Sequence, residues 1–331
     1  MGKKTLSIGG ATYDLFVRLP SDTVHECEET ASFALPLGAK IAVDQLIETC
    51  GGGASNTSTG LSRLGCDACF EGIVSSDQWG EKIMETLKKE GVNTECITVV
   101  ENEVSSFSII LSGTSGERVI LYESGTNAHL HDSTFDKEML SQMDWVYLNH
   151  IQADSCEIQD DIVEMLANDD SPKLTWNPGG CQIDAGLSPS NNSELLAHTD
   201  LLLLNKEEAL KFTKTSSIEE AIAKLIGAGV ANVAVTDGAR GVAASDGNKI
   251  YRCPVVSGVE ILDTTGAGDA FGTGMTWGLL TGLSFPDALK TGSINAASVV
   301  GAIGAQTALL TDIEITSRLQ TIDLTVSCDS L

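Results

Sequence analysis

Aromatic residues make up only 5% of this chain, and its 20 Lys and Arg are outnumbered by 46 Asp and Glu, giving a formal net charge of −26. A charge of that sign and size disfavours nucleic acid and anionic membrane as partners, so neither is expected, and it favours solubility and suits a salty cytoplasm. No run approaches the ~18 apolar residues of a membrane span. The short strand-like stretch after Lys3 and Lys4 does not make a secretion signal, and Leu6 stands where a myristoylation motif needs Ser or Thr. A cytoplasmic protein is therefore expected. Nine cysteines, an odd number scattered along a chain without such a signal, read as reduced thiols. Cys66-x-x-Cys69 lacks the second pair that a zinc ribbon requires, and His129-x-His131 reads as two surface histidines in a loop. There is no G-x-x-x-x-G-K-[ST] sequence, which excludes a P-loop enzyme. Neither a repeat nor a low-complexity linker divides residues 1–331, so a single domain is expected.

What is present is 42% hydrophobic residues and 33 glycines, a balance that fits a layered α/β protein with many tight βα turns. Apolar or β-branched runs at Leu6–Gly9, Asp144–Leu148, Lys173–Trp176, Leu201–Leu204 and Asn232–Thr236 alternate with helical stretches, the pattern of a parallel sheet covered on both sides. Other β-prone pieces interrupt that alternation. They lie at Leu15–Leu19, in Ala31–Ala42, and in Val104–Leu111 and Arg118–Tyr122, which flank a turn at 112–117 and read as a hairpin. These predict a small second sheet assembled from about 14–45 and 103–124. The segment from Thr311 to Leu331 is weakly patterned and acidic, and reads as a peripheral helix or frayed tail.

The chain is organised around Asp263-Thr264-Thr265-Gly266-Ala267-Gly268-Asp269, a turn that runs into the glycine-spaced helix Ala270-Phe271-Gly272-Thr273-Gly274. Asp263, Thr264 and Thr265 are N-cap types, and Gly266 and Gly268 let the backbone approach a ligand. Unpaired N–H groups and the helix dipole then make an anion site suited to a phosphate in transfer. Asp269 is repelled by such a ligand. A structural role is hard to defend for it, whereas a general base taking the proton of an attacking hydroxyl belongs there. A dinucleotide fingerprint fails, because Phe271 stands at its third glycine. Asp14 follows the first strand at the carboxyl edge where open α/β sheets bind ligands, and Cys50-Gly51-Gly52-Gly53-Ala54-Ser55-Asn56 opens a second helix.

The Asp263–Asp269 stretch resembles the second signature of the ribokinase-like (PfkB) carbohydrate kinases, and Gly51-Gly52 with Asn56 and Leu64-Gly65 resembles the first. The resemblance implies a three-layer α/β/α Rossmann-like core with a mainly parallel sheet, and a small β-sheet lid whose outer face makes a homodimer. It assigns Asp269 as catalytic base, the backbone of Gly266, Ala267 and Gly268 as anion hole, and Asp14, Gly51, Gly52 and Asn56 as substrate contacts. Thr236-x-Gly238-x-x-Gly241 resembles a nucleotide turn, and Asn295 lies in the stretch beside adenine in relatives. Asn205-x-x-Glu208 resembles a motif that organises Mg2+ and the phosphates of ATP, with Glu208 acting through water. Magnesium keeps most of its waters, so one carboxylate and one amide suffice for it. Asn177-Pro178-Gly179 resembles a turn near the phosphate path. Asp263 and Thr265, with Gly304-Ala305-Gln306, resemble a monovalent-cation site, which makes K+ a candidate activator. The implied reaction is ATP-dependent phosphorylation of a primary hydroxyl of a small sugar, with little basic charge available for a phosphorylated acceptor. A nucleoside acceptor, stacked on Tyr13, Phe33 or Phe107, is the first alternative. The second is a regulatory ligand-binding protein without catalysis, and the retained Asp269 argues against that.

Overall fold

The computed structural model describes residues 2–20, 25–27, 32–112, 118–132, 137–151, 158–168 and 171–330. From the N-terminus the chain forms β1 (Lys4–Ile8), β2 (Thr12–Arg18), β3 (His25–Cys27), β4 (Ser32–Ala34), β5 (Gln45–Gly51), α1 (Gly53–Arg63), β6 (Asp67–Ser75), α2 (Gln78–Lys89), β7 (Ile97–Val100), β8 (Phe107–Ser112) and β9 (Arg118–Glu123). A 3₁₀ segment at Gly125–Asp132 leads to α3 (Lys137–Ser141), β10 (Trp145–Leu148), α4 (Ile158–Leu166), β11 (Lys173–Trp176), α5 (Gly180–Ala185), α6 (Ser190–Ala197), β12 (Leu201–Asn205), α7 (Lys206–Thr213), α8 (Ile218–Gly227) and β13 (Val233–Thr236). β14 (Val242–Ser245), β15 (Lys249–Cys253), α9 (Ala267–Leu280), α10 (Phe285–Val299), α11 (Asp312–Thr321) and β16 (Ser327–Ser330) follow.

The main sheet runs β16-β15-β14-β13-β12-β11-β10-β1-β6-β7. Every pair from β7 across to β13 is parallel, and β14, β15 and β16 add antiparallel strands at one end. The near-continuous apolar strands follow from burial on both faces. In β12, Leu202 and Leu204 enter one core with Trp176, Phe212 and Ile222, while Leu201 and Leu203 enter the other with Phe271, Met275 and Leu289. β1 lies between β6 and β10, where the sheet stops growing one way and starts growing the other. Loops leaving the carboxyl ends of strands diverge at such a point and leave a crevice for ligand.

A second sheet, β5-β2-β8-β9, stands over that crevice, with β3 and β4 as a separate antiparallel pair. Of the expected lid segments, β2, β8 and β9 lie in this sheet and the piece at 31–42 does not, while β5 at 45–51 joins it past the expected boundary at 45. Its Thr12–Gly51 to Arg18–Gln45 ladder with β2 explains why: the approach to the glycine turn is itself paired. The expected turn at 113–117 lies outside the described residues, as do the side chains of Phe33, His129 and His131. The C-terminal segment does not fray. α11 is closed by a capping box from Thr311 to Glu314, and β16 pairs with β15 on the sheet edge, a non-local contact that no local pattern announces. No helix among the described residues is long and apolar enough to cross a membrane.

Candidate active site

Asp269 occupies the first turn of α9, whose N-cap is Gly266 at φ +75°, rather than the Asp or Thr residues before it. Asp263 instead holds the preceding turn, accepting from Thr265 N at 3.0 Å and Thr265 Oγ1 at 2.8 Å. Gly266 O takes the first helical hydrogen bond from Ala270 N at 2.9 Å, so the N–H groups of Gly268 and Asp269 precede the ladder and are offered at the dipole's positive end. The two glycines of this turn differ in kind. At Gly266 a side chain would strike Ala305 and would have to adopt the left-handed region, whereas at Gly268 a Cβ would meet nothing within 4 Å. The space over Gly268 is therefore not filled by protein.

The Asp269 carboxylate is half-buried and receives a hydrogen bond from Asn56 Nδ2 to Oδ2 at 2.8 Å. Asn56 is oriented by Gln306, whose Nε2 donates to Asn56 Oδ1 at 3.0 Å and to Ser55 Oγ at 2.9 Å. With its oxygen taken by a donor, the amide turns its NH2 toward Asp269. Arg63 anchors the chain of contacts: it donates to Gln306 O at 2.8 Å and forms a two-pronged pair with Glu90 at 2.7 and 2.9 Å. Burial pushes the Asp269 carboxyl above the ordinary range, and the Asn56 hydrogen bond and the charge of nearby His150 pull it back down. A carboxylate tuned upward but kept ionisable suits a base.

Asp14 is 6% exposed and lies on the lid strand β2, where it accepts from Ser108 Oγ of β8. Burial first, and the charge of Asp263 after it, raise its pKa to about 6 against the Ser108 hydrogen bond. Gly51 leaves room for this side chain, since a Cβ there would run into the Asp14 carboxylate. Gly52, at φ +88°, packs on the Gly10–Ala11 backbone and starts α1. Side chains two apart along β2 share a face. The face carrying Asp14 thus carries Phe16 and Arg18, with Ile47 and Gln45 beside them on β5 and Ile110 and Ser112 on β8. Those six line a cleft of about 220 Å³ together with Leu262, Asp263 and Ile303 of the core and Arg118 of β9. Tyr13 and Phe107 take the opposite face and stack on Trp79 of α2 at ring separations of 5.5 and 5.8 Å, so neither provides the expected shelf for a base.

A larger cleft of about 450 Å³ opens on the other side of the α9 N-terminus, lined by Thr236, Gly238 and Gly241, by the apolar loop 254–259, and by Gly268, Ala296 and Ala297. Gly238 has positive φ and an open side facing this space, while Gly241 is held against Cys253 O. Asn295 does not line it. Its side chain is fully buried, donates to Ala270 O at 2.8 Å and accepts from Leu310 N at 3.1 Å, and so braces α10 against α9. Asp237 turns to Arg240, at 2.6 Å to each oxygen, and to Lys206 at 3.4 Å. Asn205 and Glu208 close a capping box on α7: Asn205 Oδ1 accepts from Glu208 N at 2.9 Å and Glu208 Oε2 accepts from Asn205 N at 2.8 Å. Asn205 lies in register with Thr236, one strand from the cleft. The pair leaves one Glu208 oxygen to bind through water, a donor set that fits a magnesium ion held mainly by water and phosphate. Asn177 donates to Leu203 O at 2.9 Å, a bond that ties β11 to β12.

The Asp263 carboxylate already has several protein partners. Beyond the two bonds from Thr265, Gly304 N donates to its Oδ2 at 3.1 Å and Arg118 Nη1 to its Oδ1 at 2.9 Å. Ser108, Arg118 and His150 were not singled out from the sequence. Register alone places Ser108 opposite Asp14, while Arg118 begins β9 and His150 follows β10, at element ends that no local motif marks. Cys69 meets Cys96 Sγ at 3.5 Å rather than Cys66, whose thiol burial pushes up to about 12.

A family model described as pfkB family carbohydrate kinase matches residues 24–312. The ribokinase of Haemophilus influenzae is 28% identical over 270 residues, covering 79% of this chain and 84% of that protein. Among solved structures, Arabidopsis thaliana ribokinase complexed with ribose and ATP superposes with a TM-score of 0.80 at 23% identity, over 97% of this chain and 99% of that one. A Burkholderia thailandensis nucleoside kinase in complex with inosine gives a TM-score of 0.76 at 19% identity, over 96% and 98%. The three-layer core with its separate β lid is thus the ribokinase fold.

Proposed function

Because the chain belongs to the pfkB family of carbohydrate kinases, and so is an ATP-dependent sugar kinase, we propose that it moves the γ-phosphate of ATP to a primary hydroxyl of a small sugar held between Asp14 and Asp269. The observation that carries this is the Asn56–Asp269 contact at the head of α9, where an oriented carboxylate adjoins unpaired backbone donors. The larger cleft receives the nucleotide, with adenine against the apolar wall formed by 254–259, Ala296 and Ala297 and the phosphates directed toward Gly268. Asp14 orients the acceptor by accepting from its hydroxyls. Asp269 removes the proton of the attacking hydroxyl, and the Gly266–Gly268 backbone stabilises charge on the transferring phosphoryl group. Asn205 and Glu208 would hold Mg2+ through water, and that ion supplies charge neutralisation at the phosphates. The outer lid face, with Leu46, Val119 and Leu121 at 55, 38 and 52% exposure, supports a homodimer formed through the lid.

One observation favours the alternative acceptor. The smaller cleft has an apolar part formed by Phe16, Ile47 and Ile110 beside its polar lining of Arg18, Arg118 and Asp263, and that part suits a base. An ADP-release assay with Mg-ATP over sugars, sugar acids and nucleosides separates the two, with Asp269→Asn as control. A sugar-dependent rate lost in the variant establishes the reading, and a rate only with nucleosides replaces the acceptor. Ligand binding without turnover across the panel would leave a non-catalytic binding protein.

A further inference from the structure

Asp263 and Arg118 are 145 residues apart and belong to different layers, yet their side chains meet at 2.9 Å with Asp263 only 6% exposed and Arg118 32% exposed. Arg118 Nη2 also reaches Thr264 Oγ1 at 3.3 Å, so one guanidinium spans the first two residues of the anion turn. A carboxylate offers about four lone-pair sites. Asp263 has four donors on it: Thr265 N, Thr265 Oγ1, Arg118 Nη1 and Gly304 N. Three of the four converge on Oδ1 and Gly304 N alone takes Oδ2, so a potassium ion at Oδ1 would have to displace one of them. Among the described residues Arg118 is also the only cation on it, and a guanidinium keeps its charge at any physiological pH.

We propose, building on the kinase reading, that Arg118 is a built-in counter-cation: it holds the Asp263 turn in place of a monovalent cation, and the enzyme turns over without one. Two consequences follow from where Arg118 sits. Its guanidinium lies against the Asp263 carboxylate, whose charge raises the Asp14 pKa, so removing Arg118 takes a cation from beside that carboxylate. Since Arg118 starts lid strand β9 while Asp263 leads into Gly266, the pair also ties lid position to the geometry of the anion turn. Arg118 is on this account a positioning residue that acts through the turn, while its side chain also lines the smaller cleft.

The test compares wild type, Arg118→Ala and Arg118→Lys in potassium chloride and in tetramethylammonium chloride, reading both turnover and the thermal midpoint of the ligand-free protein. Wild type should show the same rate and midpoint in both salts. Arg118→Ala should lose about tenfold or more in kcat without potassium, and potassium, but not tetramethylammonium, should restore rate and raise the midpoint. Arg118→Lys, which keeps the charge, should remain closer to wild type. A wild type strongly activated or stabilised by potassium would overturn the proposal. So would an Arg118→Ala protein that folds and gains nothing from potassium by either readout. If no variant turns over any acceptor, the kinase reading is what fails, while the midpoints still decide the role of Arg118.

Discussion

Asn56 of α1 and Asp269 of α9, 213 residues apart, are joined by a hydrogen bond of 2.8 Å. The two glycine-rich signatures, each legible as a helix start, thereby become one site. In this arrangement Asn56 stabilises the ionised form of Asp269, because an amide N–H donates more strongly to a carboxylate than to the neutral acid. Asp269→Asn should lower kcat by about 10³-fold or more with ATP affinity by calorimetry nearly unchanged. Asn56→Ala removes a contribution that lowers the Asp269 pKa, so the acid limb of its kcat/KM profile should move to higher pH. An unmoved limb would remove Asn56 from that role.

Asp14 should cost the fold what it contributes to binding. Its carboxyl rises from the ordinary 3.8 to about 6 in the folded chain, so the folded state binds the proton more tightly than the unfolded one. The cost is absent below about pH 4, grows between there and about 6, and is fully present above, at roughly 3 kcal/mol. Asp14→Asn should accordingly raise the thermal midpoint at neutral pH, with the gain vanishing near pH 4, while acceptor KM increases. In wild type, acceptor affinity should weaken as pH falls through about 6. A variant less stable than wild type at neutral pH would contradict the account of burial.

Gly266 and Gly268 should separate fold from function. Gly266→Ala forces a left-handed backbone and a clash with Ala305, and should lower the thermal midpoint markedly. Gly268→Ala meets no protein atom and should fold normally, yet lose ATP affinity or kcat as its methyl enters the space offered to phosphate. Equal loss of stability in the two would show that Gly268 is also structural.

The lid dimer has its own check. Leu121 is 52% exposed on the face of β9 opposite Arg118 and the Asp14 side of the sheet. Leu121→Lys should shift sedimentation from dimer to monomer, a result that a monomeric wild type would make moot by refuting the dimer outright.

The sequence by itself determined the parallel core strands, the glycine turns at the heads of α1 and α9, and the two carboxylates, Asp14 and Asp269, from which the candidate site is built. These are readable because their causes are local: alternation of side chains, capping, and backbone freedom depend on neighbours in the chain. Tertiary structure decided which residues face one another. Only the register of β2 with β8 sets Ser108 on Asp14, and only the lid's position over the core brings Arg118 to Asp263. The same reason turned Asn295 from an expected neighbour of the nucleotide into a brace between α9 and α10, and drew the C-terminal segment into the sheet as β16. A side chain's partner across a sheet or a helix interface is fixed by packing and register, which no short stretch of sequence contains.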